Sequence, residues 1–221
     1  MGADEGPYDR ARARMVTEDL RDRGIDDERV LAAMAEVPRE EFVTHRDRDG
    51  AYEDHPLPIA EGQTISQPYI VALTLQAARL RPDHVVLDIG TGSGYAAAVA
   101  SRVVSRVVSI ERHAALARRA ASVLRSLGYD NVTVVIGDGT QGVGDAAPFD
   151  AILSAAASGS IPESWFEQLA PGGRIVAPVG HGWGQRLHSV KLRKDGTRVV
   201  TDLGGVAFVP LVSDDPLPPR G

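Results

Sequence analysis

From His84 onward, short β-branched runs alternate with longer amphipathic ones, and this rhythm limits the possible folds more than any other feature of the chain. H-V-V-L-D-I-G, R-V-V-S-I-E, V-T-V-V-I-G-D and F-D-A-I-L-S-A read as strands. Between them, Y-A-A-A-V-A-S-R-V and H-A-A-L-A-R-R-A-A-S-V-L-R-S-L-G have helical spacing, the second closed by Gly128. Apolar strands separated by amphipathic helices predict an α/β architecture, a mostly parallel, doubly wound sheet with helices on both faces. A helix near 161–169 and the strand G-G-R-I-V-A-P-V-G continue the pattern. L-H-S-V-K-L-R and R-V-V-T-D-L, separated by K-D-G-T, then predict antiparallel C-terminal strands. Upstream, helices are expected over 8–23, stopped by Gly24, over 26–37 behind an aspartate cap, and over 67–79. Residues 44–62 are rich in polar and turn-forming residues and predict an exposed connection. The expected organisation is one compact domain. It has an N-terminal helical and clamp segment (1–80), an α/β core with its hairpin (81–212) and a loose tail (213–221).

The loop V-L-D-I-G-T-G-S-G-Y places Gly90, Gly92 and Gly94 where the first parallel strand turns into its crossover helix. That end of an open α/β sheet is where ligands bind, and glycines there let a ligand approach the backbone. The spacing is G-x-G-x-G, so neither the G-x-G-x-x-G of dinucleotide binders nor a phosphate-binding Gly-Lys-Ser/Thr is present. Glu111 ends the second strand, where a carboxylate can accept hydrogen bonds from both hydroxyls of a ribose. Asp138 ends the third within G-D-G, where Gly139 leaves room for a flat ring. Each acid taken alone reads as an ordinary strand end; three successive strands with such ends point to an adenosine along the carboxyl edge. Without a pyrophosphate-binding loop, S-adenosyl-L-methionine fits that pattern better than a nicotinamide dinucleotide.

Composition narrows the classes further. The net charge of −6 and the absence of a concentrated basic cluster argue against a nucleic-acid partner. No apolar stretch reaches membrane-spanning length, and the first ten residues do not read as a signal peptide. Zero cysteines leave no disulfide framework or thiolate chemistry, so a cytoplasmic address is expected. His55, His113, His181 and His188 show no ligand spacing, and no metal is expected. Trp165 and Trp183 read as packing or rim residues.

Residues 61–69, E-G-Q-T-I-S-Q-P-Y, group Gln63, Thr64, Ser66 and Gln67 just ahead of a helix. A helix start accounts for them, with Ser66 as N-cap and Pro68 in the first turn, and does not exclude a second role. G-Q-T-I-S-Q-P-Y followed by D-I-G-T-G-S-G-Y, with V-P-R-E-E-F-V upstream and F-V-P-L-V near the end, closely resembles the protein-L-isoaspartate O-methyltransferase family. The resemblance runs from about Asp9 to Val212; G-x-G-x-G marks only the wider superfamily, and Q-T-I-S-Q-P is the specific element. It implies a Rossmann-like class I methyltransferase fold, S-adenosyl-L-methionine as cofactor, and isoaspartyl residues of damaged proteins or peptides as substrate. It also implies site residues. Ser66 takes the active-site serine position. Ile65, Ser66, Gln67, Asp88, Gly90, Gly92, Gly94, Glu111, Asp138 and Gly139 take cofactor positions, and Thr64, Ser66 and Tyr69 face the acceptor. Methyl transfer to an ionised carboxylate needs no general base, which agrees with the lack of a Ser-His-Asp or Cys-His set. A monomer is expected.

One stretch departs from the family pattern. After the fourth strand, S-A-A-A-S-G-S places Ala155 where the family carries threonine and Ser158-Gly159 in its proline region. That bears on acceptor choice more than on cofactor binding. The alternative acceptor is an ordinary aspartate in one ribosomally made peptide, esterified to drive aspartimide formation.

Overall fold

The computed structural model describes residues 6–213. Seven strands form one sheet: β3 (Val85–Ile89), β4 (Arg106–Glu111), β5 (Val132–Ile136), β6 (Phe149–Ser154), β7 (Leu169–Val179), β8 (Arg186–Leu192) and β9 (Arg198–Gly205). Their order is β5-β4-β3-β6-β7-β8-β9. The first five run parallel, while β8 is antiparallel to both β7 and β9, as the hairpin signal predicted. The chain leaves β3 in one direction through β4 to β5, then returns to the other side of β3 as β6. The crevice outside the carboxyl ends of β3 and β6 is therefore the switch point where such sheets take ligands.

Alternation along β3 builds both cores. Val86 packs into one with Val107, Tyr95, Leu31, Leu75 and Met15. Leu87 and Ile89 enter the other with Ile110, Phe149, Ile152, Trp165 and Ile175. Adjacent strand residues point to opposite faces, so a strand buried on both sides needs apolar residues at nearly every position. Helices α4 (Tyr95–Ser101), α5 (Ala114–Ser126) and α6 (Glu163–Glu167) supply crossovers.

The N-terminal segment covers the first core. Helix α1 (Pro7–Arg14) runs on through a π-helical stretch, Met15–Leu20, and a 3₁₀ turn, Arg21–Arg23, to Gly24 at φ 94°. Helix α2 (Glu28–Glu36) is capped by Asp27, whose carboxylate accepts from the Arg29 N–H at 3.0 Å. Met15, Leu20, Val30, Leu31 and Met34 from this segment share one hydrophobic cluster with the sheet.

Two expectations need correction here. Residues 44–62 are not simply an exposed connection: Ala51, Tyr52 and Leu57 are buried. Leu57–Pro58 (β1) pairs antiparallel with Thr64–Ile65 (β2). Nor is Ser66 the N-cap of α3 (Pro68–Ala78). Gln67 holds that position without a capping side chain. The orphan N–H of Tyr69 is instead satisfied at 2.9 Å by Asp54, from the 44–62 connection. The second oxygen of Asp54 accepts from Gln67 Nε2 at 3.2 Å and from the Arg23 guanidinium. A cap supplied from fifteen residues away leaves no local sequence signature. The C-terminal tail expected to be loose lies outside the described residues except for Ser213.

Asp54→Ala removes that cap and the partner of two side chains at once. We expect a loss of about 1–2 kcal/mol of stability, the usual range for a helix cap, read as a lower urea midpoint. An unchanged midpoint would remove Asp54 from the account of α3.

Candidate active site

Gly90, Gly92 and Gly94 all have positive φ, at 88°, 53° and 91°, and turn the chain from β3 into α4. The Gly90 and Thr91 N–H groups both donate to the Ile110 carbonyl, at 2.9 and 3.2 Å, so the loop is tied to β4. The three glycines do different work. Gly90 and Gly92 line a cleft of about 540 Å³. A Cβ on Gly92 would sit 3.5 Å from Ile59, in the turn between β1 and β2 that crosses the loop. Gly94 faces away from the cleft, where a Cβ would stand 3.3 Å from Ala120 and Leu124 of α5.

Glu111, buried at the end of β4, lines the same cleft. One carboxylate oxygen accepts from the Gly92 N–H at 2.9 Å and the other from the His113 N–H at 2.8 Å. Two backbone donors fix its plane, and each oxygen keeps a further lone pair for a ligand hydroxyl. Asp138, at the end of β5, is held within its own turn. Its carboxylate accepts from Thr140 N–H and Oγ1, at 2.8 and 2.7 Å, and from the Ser213 hydroxyl at 2.9 Å. It shapes the turn while its neighbour Gly139 lines the cleft. Glycine is required there by packing, since a Cβ would lie 2.6 Å from Ile89 Cγ2. Trp165, fully buried, donates Nε1–H to the Gly139 carbonyl at 2.9 Å.

A smaller pocket meets the cleft at Ala155 and is lined by Asp88, Ser66, Ser154 and Phe208. Asp88 accepts from Ser109 Oγ at 2.6 Å, and that hydroxyl lies 2.5 Å from Thr91 Oγ1. Burial pushes the Asp88 carboxyl up to about 6; the Ser109 hydrogen bond opposes this, and the charge of Glu111 adds to it.

Ser66 connects this pocket to an outer groove of about 1120 Å³, lined also by Thr64, Gln67, Tyr69, Trp183 and Phe208. Among the described residues its hydroxyl has no hydrogen-bond partner, because the helix cap it was expected to make is made by Asp54. Thr64 reaches both the cleft and the groove. Tyr69 lines the groove, with the Arg23 guanidinium 3.9 Å above its ring, and Trp183 is fully exposed at the rim. Ile65 does not reach the cleft: its side chain is buried and its backbone pairs with Leu57.

Sequence reasoning did not assign the wall formed by Val209, Pro210, Leu211 and Val212. Ala157 N–H donates to Val209 O and Leu211 N–H to Ala157 O, both at 2.8 Å, which fastens this strap beside β6. F-V-P-L-V was visible as a motif but carries no polar group to mark it as a site. Arg112, His113 and Gln63 also line the cleft unassigned. Ala155, at the departure from the family pattern, lines both cleft and smaller pocket, so the substitution lies where the two meet.

A doubly wound sheet of this order, with a glycine loop after its central strand and an acid closing the neighbouring one, defines a class I S-adenosylmethionine-dependent methyltransferase. Comparison with known proteins narrows the class. The family model "Protein-L-isoaspartate(D-aspartate) O-methyltransferase (PCMT)" matches residues 11–215, and the chain belongs to that family. A protein-L-isoaspartate O-methyltransferase of Koribacter versatilis is 53% identical over 203 residues, covering 92% of this chain and 91% of the relative. One of Roseiflexus castenholzii is 57% identical over 191 residues, covering 86% and 87%. Among solved structures, a protein-L-isoaspartate O-methyltransferase superposes with a TM-score of 0.82 at 32% identity. That match covers 92% of this chain and 66% of the other. A Plasmodium falciparum structure described under the same family name, in complex with S-adenosyl-L-homocysteine, gives 0.78 at 26% identity, covering 94% and 99%.

The Asp88 carboxyl supplies a test of this geometry. Because its folded pKa lies above the ordinary 3.8, its ionisation opposes folding. The cost is absent below pH 4, grows between 4 and 6, and is complete above 6. The gap from 3.8 to about 6 corresponds to roughly 3 kcal/mol. In the cofactor-free protein, Asp88→Asn should therefore raise the melting temperature at pH 7 and flatten the stability profile between pH 4 and 6. Calorimetry across that range checks it; parallel profiles for the two proteins would contradict it.

Proposed function

We propose that the chain transfers a methyl group from S-adenosylmethionine to the carboxylate of isoaspartyl residues in proteins and peptides, the activity of its family. The single observation that carries the assignment of the site is the Ser66 hydroxyl. It is half-buried, without a partner among the described residues, and placed between the smaller pocket and the outer groove.

The residues of the cleft suit the cofactor. Glu111, with its plane fixed and lone pairs to spare, is positioned for ribose hydroxyls, while Gly90 and Gly92 let a ligand lie close to the backbone. Gly139 and the 209–212 strap offer an apolar slot for a flat base. Asp88 and Ser66 face the pocket between cleft and groove, where a cationic centre would favour the ionised carboxylate of Asp88. Asp138, Gly94 and Ile65 act by holding the turn, the helix packing and the hairpin. The bound cofactor supplies a sulfonium methyl: a C–O bond forms with a carboxylate electron pair as the C–S bond breaks, and no proton moves.

The protein's contribution is orientation. Ser66 donates to the acceptor carboxylate, Thr64 borders both ligands, and Tyr69 and Trp183 flank the peptide around the modified residue. Residues 1–80 serve as the clamp over the 81–212 core, within one folding unit. The enzyme is further proposed to work as a monomer in the cytoplasm. No helix among the described residues is long and apolar enough to cross a membrane.

Labelled S-adenosylmethionine and two peptides differing only in isoaspartate versus aspartate test this reading. We expect methyl incorporation into the isoaspartyl peptide alone. Ser66→Ala should lower kcat/KM tenfold to a hundredfold, as loss of a hydrogen bond to a charged group costs about 1.5–3 kcal/mol. Cofactor binding without labelling of either peptide would sink the isoaspartyl assignment and direct attention, through the Ala155 loop, to a dedicated aspartyl peptide.

A further inference from the structure

Arg39 is a fully buried arginine, removed from the cofactor cleft and used by none of the steps above. Its Nε donates to the Ala51 carbonyl at 2.7 Å and its Nη2 to the Ser66 carbonyl at 2.9 Å. The guanidinium lies 4.7 Å over the Tyr95 ring, and Nη1 is buried with no hydrogen-bond partner among the described residues. A guanidinium remains protonated at neutral pH, so a full positive charge is enclosed against the backbone of Ser66.

That charge has no carboxylate of its own. Among the described residues Arg39 forms no ion pair. Glu40, next in sequence, is taken by Arg12 and the Tyr52 hydroxyl. Asp54, which acts on Arg39 through space, is already paired with Arg23 and caps α3. A buried cation left unbalanced is costly, and proteins keep such groups where something else answers the charge. The nearby group that arrives carrying a negative charge is the acceptor carboxylate at Ser66.

We propose that Arg39 is a positioning residue that holds the Ser66 backbone and, through its unbalanced charge, selects an anionic acceptor over the neutral ester that the reaction makes. This rests on the reading of Ser66 as the acceptor site. The substrate carboxylate carries a full negative charge, the transition state part of it, and the ester none. Attraction to Arg39 therefore falls along the reaction. It strengthens substrate binding and lets the product leave, and beyond the placement of Ser66 it gives the chemical step no advantage. The expected signature of its loss is a rise in the peptide KM larger in proportion than any fall in kcat.

Calorimetry with S-adenosylhomocysteine bound, so that no sulfonium contributes, separates this from a purely structural role. The ligands are an isoaspartyl peptide and the same peptide with that carboxylate replaced by its neutral amide. The wild-type protein should bind the anionic peptide at least tenfold more tightly. Arg39→Met should weaken binding of the anionic peptide several-fold more than binding of the amide peptide, the Ser66 hydroxyl keeping the rest of the preference. Arg39→Lys, which keeps the charge and changes the hydrogen bonds, should retain most of the preference and serves where Arg39→Met does not fold. Equal wild-type affinity for both peptides, or equal weakening of both in Arg39→Met, overturns the proposal. So does loss of the preference in Arg39→Lys. Those outcomes, with the isoaspartyl peptide still methylated, leave the proposed function standing; failure to methylate it removes both.

Discussion

The pairing of β3 with β4 on one side and β6 on the other fixes almost everything at the site. It places Ile89 and Glu111 at neighbouring strand ends and Ser154 opposite Ile89, so that the loops following all three strands converge. The glycine loop then has two backbone donors on the Ile110 carbonyl, and Glu111 binds the Gly92 N–H. The positions of the glycine loop and Glu111 in the cleft thus follow from ladder register. Such preorganisation matters for a reaction that needs no acid or base and gains chiefly from placement.

The N-terminal segment adds the second half of the site, and it does so through polar contacts made at long sequence distance. Asp54 caps α3, pairs with Arg23 and holds Gln67, while Arg39 spans Ala51 and Ser66. Through Ser66, Gln67 and Tyr69 these contacts join the 39–55 region to the clamp. Buried or half-buried polar groups of this kind are sensitive to losing a partner, so the clamp is rigid only while the network is complete. The free hydroxyl of Ser66 is a product of that network, because the helix start it would otherwise satisfy is satisfied from elsewhere.

Local pattern carried the fold far. The β-branched runs gave the strands, Gly128 and Gly24 marked two helix ends, and K-D-G-T marked the hairpin between β8 and β9. That Gly90, Gly92 and Glu111 line one cleft was legible because a turn from strand to helix at that sheet edge calls for those residue types at fixed positions. Asp138 was legible only as an acid at a strand end. That its carboxylate serves Thr140 and Ser213 depends on a residue 75 positions away. Residues 44–62 read as exposed because their polarity suits solvent, yet Tyr52 is buried there with its hydroxyl donating to Glu40 and accepting from Arg12.

What the sequence by itself determined is what repeats or recurs within a few residues: strand and helix periodicity, the glycine turn, the acid that ends β4, and the Q-T-I-S-Q-P stretch that marks the family. What only the tertiary structure decided is which polar group answers which. Whether Ser66 caps a helix or stays free, which groups hold the Asp138 carboxylate, and whether Arg39 finds a carboxylate are settled by groups brought together from distant parts of the chain. The physical reason is the range of the interactions involved. Side-chain periodicity follows from backbone geometry and is written locally, whereas satisfaction of a buried donor or charge depends on whatever packing places within hydrogen-bond reach.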